Sequence, residues 1–151
     1  MSQTAHQYQA RVLEVHDGDT VKLSVDLAHT ERIKDRDFGF HVYIEQGRLV
    51  VHESFRLLGL NAPELVTPAG KTAQEYLDHL LRANAAGGAW VPLTLRTKVV
   101  RAQDQQEKFG RYLATLWLST EDPDKAASVN LRLIQAGQAA PWDGAGPKPV
   151  P

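Results

Sequence analysis

The chain has 151 residues, which is most simply explained by a single domain. A domain of this size buries roughly two-thirds of the surface that its unfolded chain exposes. The sequence contains no cysteine, which excludes disulfide scaffolds, thiolate metal sites and cysteine nucleophiles. A net charge of −1 argues against a protein that coats nucleic acid, but it is compatible with an enzyme that engages one phosphate locally.

The N-terminus and the histidines exclude two further classes. The segment MSQTAHQYQARVLEV lacks an apolar core of signal-peptide length, and no run approaches the length of a membrane span. We therefore expect no membrane association and a location inside a cell rather than outside it. We also expect a monomer. The six histidines show no paired spacing typical of a helical zinc site.

Strand patterns dominate the first part of the chain. Residues 8–15 and 21–27 alternate polar and apolar side chains, and HDGDT between them predicts a tight hairpin turn in which Gly18 supplies a positive φ. Residues 28–37 are charged and without a regular period, which indicates a loop. Strand composition returns over residues 38–60, with a turn at Gln46-Gly47, and NAPE ends it.

Helices and strands alternate in the second part. Residues 67–88 predict a helix capped by Thr67, started by Pro68 and ended around Asn84. Residues 90–100 and 110–119 predict strands, and residues 122–137 predict a shorter helix that stops at Gly137.

The order of these elements predicts the fold class. Several strands, a helix, two strands and a helix fit a mainly β, α+β protein: a five-stranded Greek-key barrel of the OB-fold type with about two helices packed on it. We expect one domain over residues 8–143, with an extended connection between the second and third strands. Residues 1–7 and 144–151 are expected to be flexible tails.

Four polar features lie where packing alone would not require them. They are Asp17 with Asp19 in DGDT, Arg56 in SFRLLGL, Glu64 in NAPEL and Arg111 in EKFGRYL. Each has an ordinary structural interpretation when taken alone, as an acidic turn, an outward strand residue or the approach to a helix.

Together, these features resemble a known family. In chain order, DGDTV, FRLLGLNAPE, a helix, KFGRYLA and VNLRLIQAG are similar to the staphylococcal nuclease (thermonuclease) family over roughly residues 9–143. The resemblance implies an OB-fold nuclease that uses Ca²⁺ to hydrolyse phosphodiester bonds in DNA and RNA.

The resemblance also implies roles for individual residues. Asp19 would be a metal ligand with Asp17 nearby, and Asn61 and the backbone carbonyl of Ala62 would complete the protein ligands. Arg56 and Arg111 would clamp the phosphate of the substrate, and Glu64 would be the general base. Lys108 and Phe109 would contact the nucleotide.

The chemistry of phosphodiester hydrolysis suits these residue types. Ca²⁺ prefers about 6–8 oxygen ligands, which carboxylates, carbonyls and water supply. A guanidinium matches phosphate oxygens bidentately, and one well-placed arginine is worth roughly 10³–10⁵ in phosphoryl transfer to water. A general base typically adds about 10²–10⁴. We therefore expect the metal and the arginines to carry most of the catalysis.

The sequence departs from the family pattern at Asn61 and Ala62, which precede Pro63-Glu64 where the family prototype has an aspartate ahead of its glutamate. The site loses one negative charge, so we expect weaker metal binding, for which Asp17 could compensate. The longer segment at residues 28–47 either shapes substrate access or is a tolerated surface insertion.

Trp142 and the missing charge leave alternatives open. Trp142 either stacks on a nucleic-acid base or packs against a helix or the bottom of the barrel. The main hypothesis is a nuclease without strong sequence specificity. The alternative is an OB-fold module with weakened catalysis that binds nucleic acid or a protein partner.

Overall fold

The computed structural model describes residues 5–26, 42–45, 48–83, 88–98, 112–142 and 149. Within these ranges the chain forms eight strands and two helices. In chain order they are β1 (Ala5–Asp17), β2 (Thr20–Asp26), β3 (Val42–Glu45), β4 (Arg48–Leu57), β5 (Leu60–Asn61), α1 (Pro68–Leu81), β6 (Leu93–Lys98), β7 (Tyr112–Leu118), α2 (Val129–Gln135) and β8 (Ala140–Pro141).

Five of the strands close into a barrel. The order is β2-β1-β6-β7-β4, and β4 pairs back to β2, which removes both sheet edges. The β4–β7 pairing is parallel and the other four are antiparallel, so the barrel is mixed. β3 extends the sheet beyond β4 as an antiparallel neighbour, with Glu45 opposite Arg48. This closed barrel of mainly β character confirms the predicted OB-fold architecture.

The barrel interior is apolar, as the strand alternation predicts. Its fully buried side chains include Leu23, Phe55, Leu95 and Leu116, one from each of four barrel strands. β1 begins at Ala5 rather than near residue 8, because residues 5–10 pair with residues 93–98 of β6. Among the described residues, no helix is long and apolar enough to cross a membrane.

Helix α1 begins where the sequence predicts. The Thr67 hydroxyl oxygen accepts from the Gly70 N–H at 2.9 Å, and Pro68 occupies the first turn. The helix ends at Leu81, before the predicted end near Asn84, because Ala83 adopts a left-handed backbone with φ 54°. Residues 84–87, including the predicted stop signals, lie outside the described residues.

Helix α2 is shorter than predicted. It starts at Val129, where the Ser128 hydroxyl caps the Leu131 N–H at 3.0 Å, and not near residue 122. Residues 122–126 instead form a turn around Asp122, whose carboxylate accepts from the Asp124 N–H at 2.9 Å. An aspartate that bonds its own backbone two residues on competes with helix formation, and this explains the later start.

The turn between β1 and β2 forms as predicted, but Gly18 is needed for a different reason. Its φ lies outside the left-handed region, so the expectation of a positive φ is wrong. A Cβ on Gly18 would lie 2.7 Å from the Cβ of Ala73 in α1 and 2.8 Å from that of Ala62. The Asp17 carboxylate closes the turn by accepting from the Asp19 N–H at 3.1 Å. Glycine therefore allows this acidic turn to pack directly against α1.

Candidate active site

The candidate site lies where the β1–β2 turn, the end of β4 and the short strand β5 meet. Thr20 at the start of β2 pairs with Arg56 at the end of β4, and the next backbone bond runs from Leu57 N–H to the Asp19 carbonyl at 2.8 Å. This register fixes Asp19 beside Arg56. β5 follows β4 after a turn at Gly59, whose φ of +88° favours glycine. This turn brings Asn61 of β5 next to Arg56.

Asp19 is a buried carboxylate held by several partners. Only 5% of the residue is exposed. Its Oδ1 accepts from the Thr20 hydroxyl at 3.0 Å, and its Oδ2 accepts from the Ala62 N–H at 2.9 Å. The Nη2 of Arg56 lies 3.5 Å from Oδ2. These contacts hold the carboxylate in one orientation and tie the first turn of the barrel to the segment after β5.

Arg56 is equally buried, with 6% of the residue exposed. Its Nη2 donates to the Oδ1 of Asn61 at 3.0 Å and to the Leu60 carbonyl at 3.4 Å, in addition to its ion pair with Asp19. The ring of Trp142 covers the guanidinium, with 5.1 Å between Cζ and the ring centroid. Arg56 is therefore enclosed by oxygen acceptors on one side and an aromatic face on another.

The amide of Asn61 is oriented by two opposite partners. Oδ1 faces the Arg56 donor, and Nδ2 donates to the backbone carbonyl of Pro149 at 3.0 Å. Since one partner is a donor and the other an acceptor, the network fixes which end of the amide is oxygen. Asn61 thus presents its oxygen to the site and its nitrogen to the C-terminal segment.

Asp17 is the second carboxylate of the turn. Partial burial raises its pKa to about 6, and the negative charge of Asp19 and a side-chain hydrogen bond with Asp19 add to the rise. When both are ionised, the carboxylates of Asp17 and Asp19 therefore repel each other. A bound cation would relieve this repulsion.

Glu64 lies on an exposed turn ahead of α1. Its backbone carbonyl accepts from the N–H of Thr67 at 3.0 Å and from the Thr67 hydroxyl at 2.7 Å. A Cβ on Gly70 would overlap this same carbonyl. The first turn of α1 therefore packs against the Glu64 backbone, and the residue is exposed to solvent.

The oxygen atoms of this site suit a calcium ion in kind. Two carboxylates and one amide oxygen are hard donors of the sort that Ca²⁺ binds. The described residues contain no group of three or more histidine, cysteine, aspartate or glutamate side chains that could hold a metal. Two carboxylates and one amide supply fewer oxygens than Ca²⁺ takes, so an ion held by Asp17, Asp19 and Asn61 would need backbone oxygens and water for its remaining ligands.

The predicted site residues divide into three groups. Asp19, Arg56, Asn61 and Ala62 come into direct contact, with Asp17 adjoining them and Glu64 nearby along the chain. Lys108, Phe109 and Arg111 lie outside the described residues. Arg111 immediately precedes Tyr112, which pairs with Phe55 beside Arg56.

Sequence reasoning missed three participants in the site. The Thr20 hydroxyl was identifiable from its place directly after Asp19 in the turn. The covering position of Trp142 and the carbonyl contact of Pro149 carry no local signal, because they depend on where the chain runs after α2.

Comparison with known proteins agrees with this geometry. No curated protein shows significant sequence similarity to the chain. The family model described as staphylococcal nuclease homologue matches residues 54–145, a range that includes Arg56, Asn61, Glu64 and Arg111. Because the family model matches more than half of the sequence, and the barrel is closed, the chain belongs to the staphylococcal nuclease homologue family, a nuclease-type family that binds nucleic acid.

Proposed function

We propose that the protein is a metal-dependent phosphodiesterase that hydrolyses DNA, RNA or both without strong sequence specificity. The observation that carries this proposal is the buried pair of Arg56 and Asp19, 3.5 Å apart at the end of β4. Removing two charges from water costs several kcal/mol per ion, and apolar residues of similar volume often give equal or better stability. The pair is therefore better explained by chemistry than by packing.

The arginines would act on the phosphate. Attack on a phosphodiester places negative charge on the equatorial oxygens, and a guanidinium stabilises that charge without changing its protonation. Arg56 would contact one side of the phosphate. Arg111, which precedes β7 in the sequence, would contact another. Lys108 and Phe109 would bind the adjoining nucleotide.

Glu64 would act as the general base. It lies in solvent beside the buried cluster, so its carboxylate has access to a water molecule and takes the proton that this water loses on attack. The packing of Gly70 and Thr67 against its backbone holds the residue to the start of α1.

A divalent cation, Ca²⁺ in the first instance, would be held by Asp19, Asp17, Asn61 and the Ala62 carbonyl. When bound, the ion supplies positive charge to the phosphate and to the attacking water. Asp19 and Asp17 would supply negative charge to the cation. Asn61 would supply a neutral oxygen, at a position where a carboxylate would bind the cation more tightly.

One observation favours a second candidate function. Nη2 of Arg56 already has three oxygen neighbours, and one of them is the neutral Asn61. A site with a satisfied arginine and one fewer negative charge suits an OB-fold module that binds nucleic acid or a protein and turns over slowly or not at all.

Cleavage of single-stranded DNA and RNA tests the two candidates. The protein is assayed in millimolar Ca²⁺, Mg²⁺ or Mn²⁺ and in chelator, beside Arg56→Ala. The proposal predicts metal-dependent cleavage and a loss of about 10³-fold or more in the variant. Arg96→Ala is the matched control, because Arg96 also stacks on a tryptophan, Trp117, and pairs with an aspartate, Asp124, but lies on β6 outside the site.

The outcomes separate cleanly. Wild-type protein that cuts no faster than Arg56→Ala in any metal refutes the enzyme. A retarded band in a gel shift under chelation would then support the binding module.

A further inference from the structure

We propose that a strap shields the site: Trp142 and Pro149 hold Arg56 and Asn61 in a covered state, and a phosphate reaches Arg56 only after the Trp142 ring has moved away. The substrate named here rests on the proposed function, whereas the shielding of Arg56 does not. The strap is defined by its described residues, Ala140, Pro141, Trp142 and Pro149.

The near end of the strap is anchored to the site itself. β8 pairs with β5 in a separate two-stranded sheet, with Pro141 opposite Leu60 and Ala140 opposite Asn61. The N–H of Trp142 continues this pairing by donating to the Gly59 carbonyl at 2.9 Å. Because β5 follows Arg56 by only a turn, the pairing delivers the Trp142 ring onto the guanidinium.

Arg56 has no free access for a phosphate in this arrangement. Its exposed fraction is 6%, its Nη2 has three oxygen neighbours, and the indole lies 5.1 Å above it. Bidentate recognition of a phosphate needs two N–H groups that the ligand can approach in one plane. The indole must therefore leave before Arg56 can clamp a substrate.

The far end of the strap contacts a second candidate site residue. The Pro149 carbonyl accepts from Nδ2 of Asn61 at 3.0 Å. Trp142 and Pro149 thus contact two residues that the proposed chemistry uses. A cation–π contact and one neutral hydrogen bond are weak beside the charge-assisted bonds that a phosphate forms with arginine, so substrate can displace the strap.

The accessibility of Arg56 can be measured without any substrate. Phenylglyoxal modifies exposed guanidinium groups, and peptide mass spectrometry gives the rate at each arginine. Trp142→Ala should accelerate modification of Arg56 by roughly 3- to 30-fold. Loss of one cation–π contact raises the fraction of molecules with an accessible Arg56 by about this factor, and the modification rate is proportional to that fraction. Truncation after Pro141 removes both contacts and should accelerate it at least as much.

Two controls accompany this measurement. Arg96, stacked on Trp117 at the same 5.1 Å, should keep its rate in every variant. Trp90→Ala removes the ring from Arg82, 4.5 Å away, and should leave the Arg56 rate unchanged. Thermal unfolding identifies any variant that has lost its fold. The test needs only one folded variant, either Trp142→Ala or the truncation after Pro141. Unchanged modification of Arg56 in the folded variant overturns the strap.

Binding of a fluorescent oligothymidine, followed by anisotropy with calcium on a Glu64→Gln background, supplies the second readout. The strap predicts that Trp142→Ala tightens binding by a factor similar to the gain in modification rate. Weaker binding would identify Trp142 as a base-stacking residue and overturn the strap. Faster modification of Arg56 with no oligonucleotide binding or cleavage by any variant supports the strap and refutes the proposed function.

Discussion

Replacing Asn61 by aspartate would add one negative charge at the position where the site has a neutral amide. Asn61 is 8% exposed, and its Oδ1 accepts from Arg56 at 3.0 Å. Aspartate keeps this acceptor and makes the bond charge-assisted. It loses the donor to Pro149. We predict that Asn61→Asp binds calcium more tightly than the wild type and is active at lower calcium concentrations.

The magnitude follows from the charges around the residue. Two unit charges about 4 Å apart interact by ~1 kcal/mol in water and ~4 kcal/mol at an effective dielectric constant of 20. Arg56 neutralises part of the added charge, and the repulsion from Asp19 removes a further part in the absence of metal. A net gain of about 1–2 kcal/mol remains, which corresponds to about 5- to 30-fold tighter calcium binding.

Isothermal titration with calcium measures this change directly, and Asn61→Ala provides the matched comparison. Alanine loses the oxygen and adds no charge, so affinity should rise in the order alanine, asparagine, aspartate. Metal-free stability in urea should fall for the aspartate variant, since Arg56 neutralises its carboxylate only in part, Asp19 lies nearby, and the bond to the Pro149 carbonyl is lost. Equal calcium affinities for the alanine and aspartate variants would show that this side chain takes no part in metal binding.

Three further substitutions test the surrounding structure. Asp17→Asn should stabilise the metal-free protein at pH 7. The pKa of the Asp17 carboxyl is raised to about 6, so its ionisation lowers the free energy of unfolding as the pH rises from about 4 to 6. In chelator the gain in stability at pH 7 is therefore about 1 kcal/mol after screening, and it vanishes below pH 4. A urea series across pH checks it, and a pH-independent gain would contradict it. Gly18→Ala should destabilise by about 1–3 kcal/mol, because its Cβ would lie 2.7 Å from that of Ala73; an unchanged thermal midpoint would contradict the close approach. Asn130→Ala should cost about 2–4 kcal/mol, because it removes bonds to one N–H and two carbonyls between α2 and the barrel; hydrogen exchange should accelerate in β7 and not in α1.

The fold could be predicted where local signals and the barrel agree. Thr67 and Pro68 specify the start of α1 through capping chemistry that needs no tertiary partner. Gly18 shows the limit of such reasoning. The turn was predictable from DGDT, but the need for glycine arises from Ala73, which lies far along the chain and approaches only after α1 packs on the barrel.

Only part of the candidate site could be predicted from the sequence, and the contacts around that part could not. The motifs identify Asp19, Arg56 and Asn61, which the structure brings into contact. Their mutual arrangement depends on tertiary contacts that no motif encodes. The cover by Trp142 is one case, since a Pro/Gly-rich segment has no periodicity that would reveal where it lies.

The parallel pairing of β4 with β7 has a consequence for the order in which the protein is assembled. Phe55 and Arg56 pair with Tyr112 and Leu113, which lie far along the chain, so the barrel cannot close until β7 is available. Such non-local pairings place folding on the scale of milliseconds to seconds. A nascent chain on the ribosome that has not yet released β7 therefore has no closed barrel, and Arg56 at the end of β4 still lacks its partner Leu113.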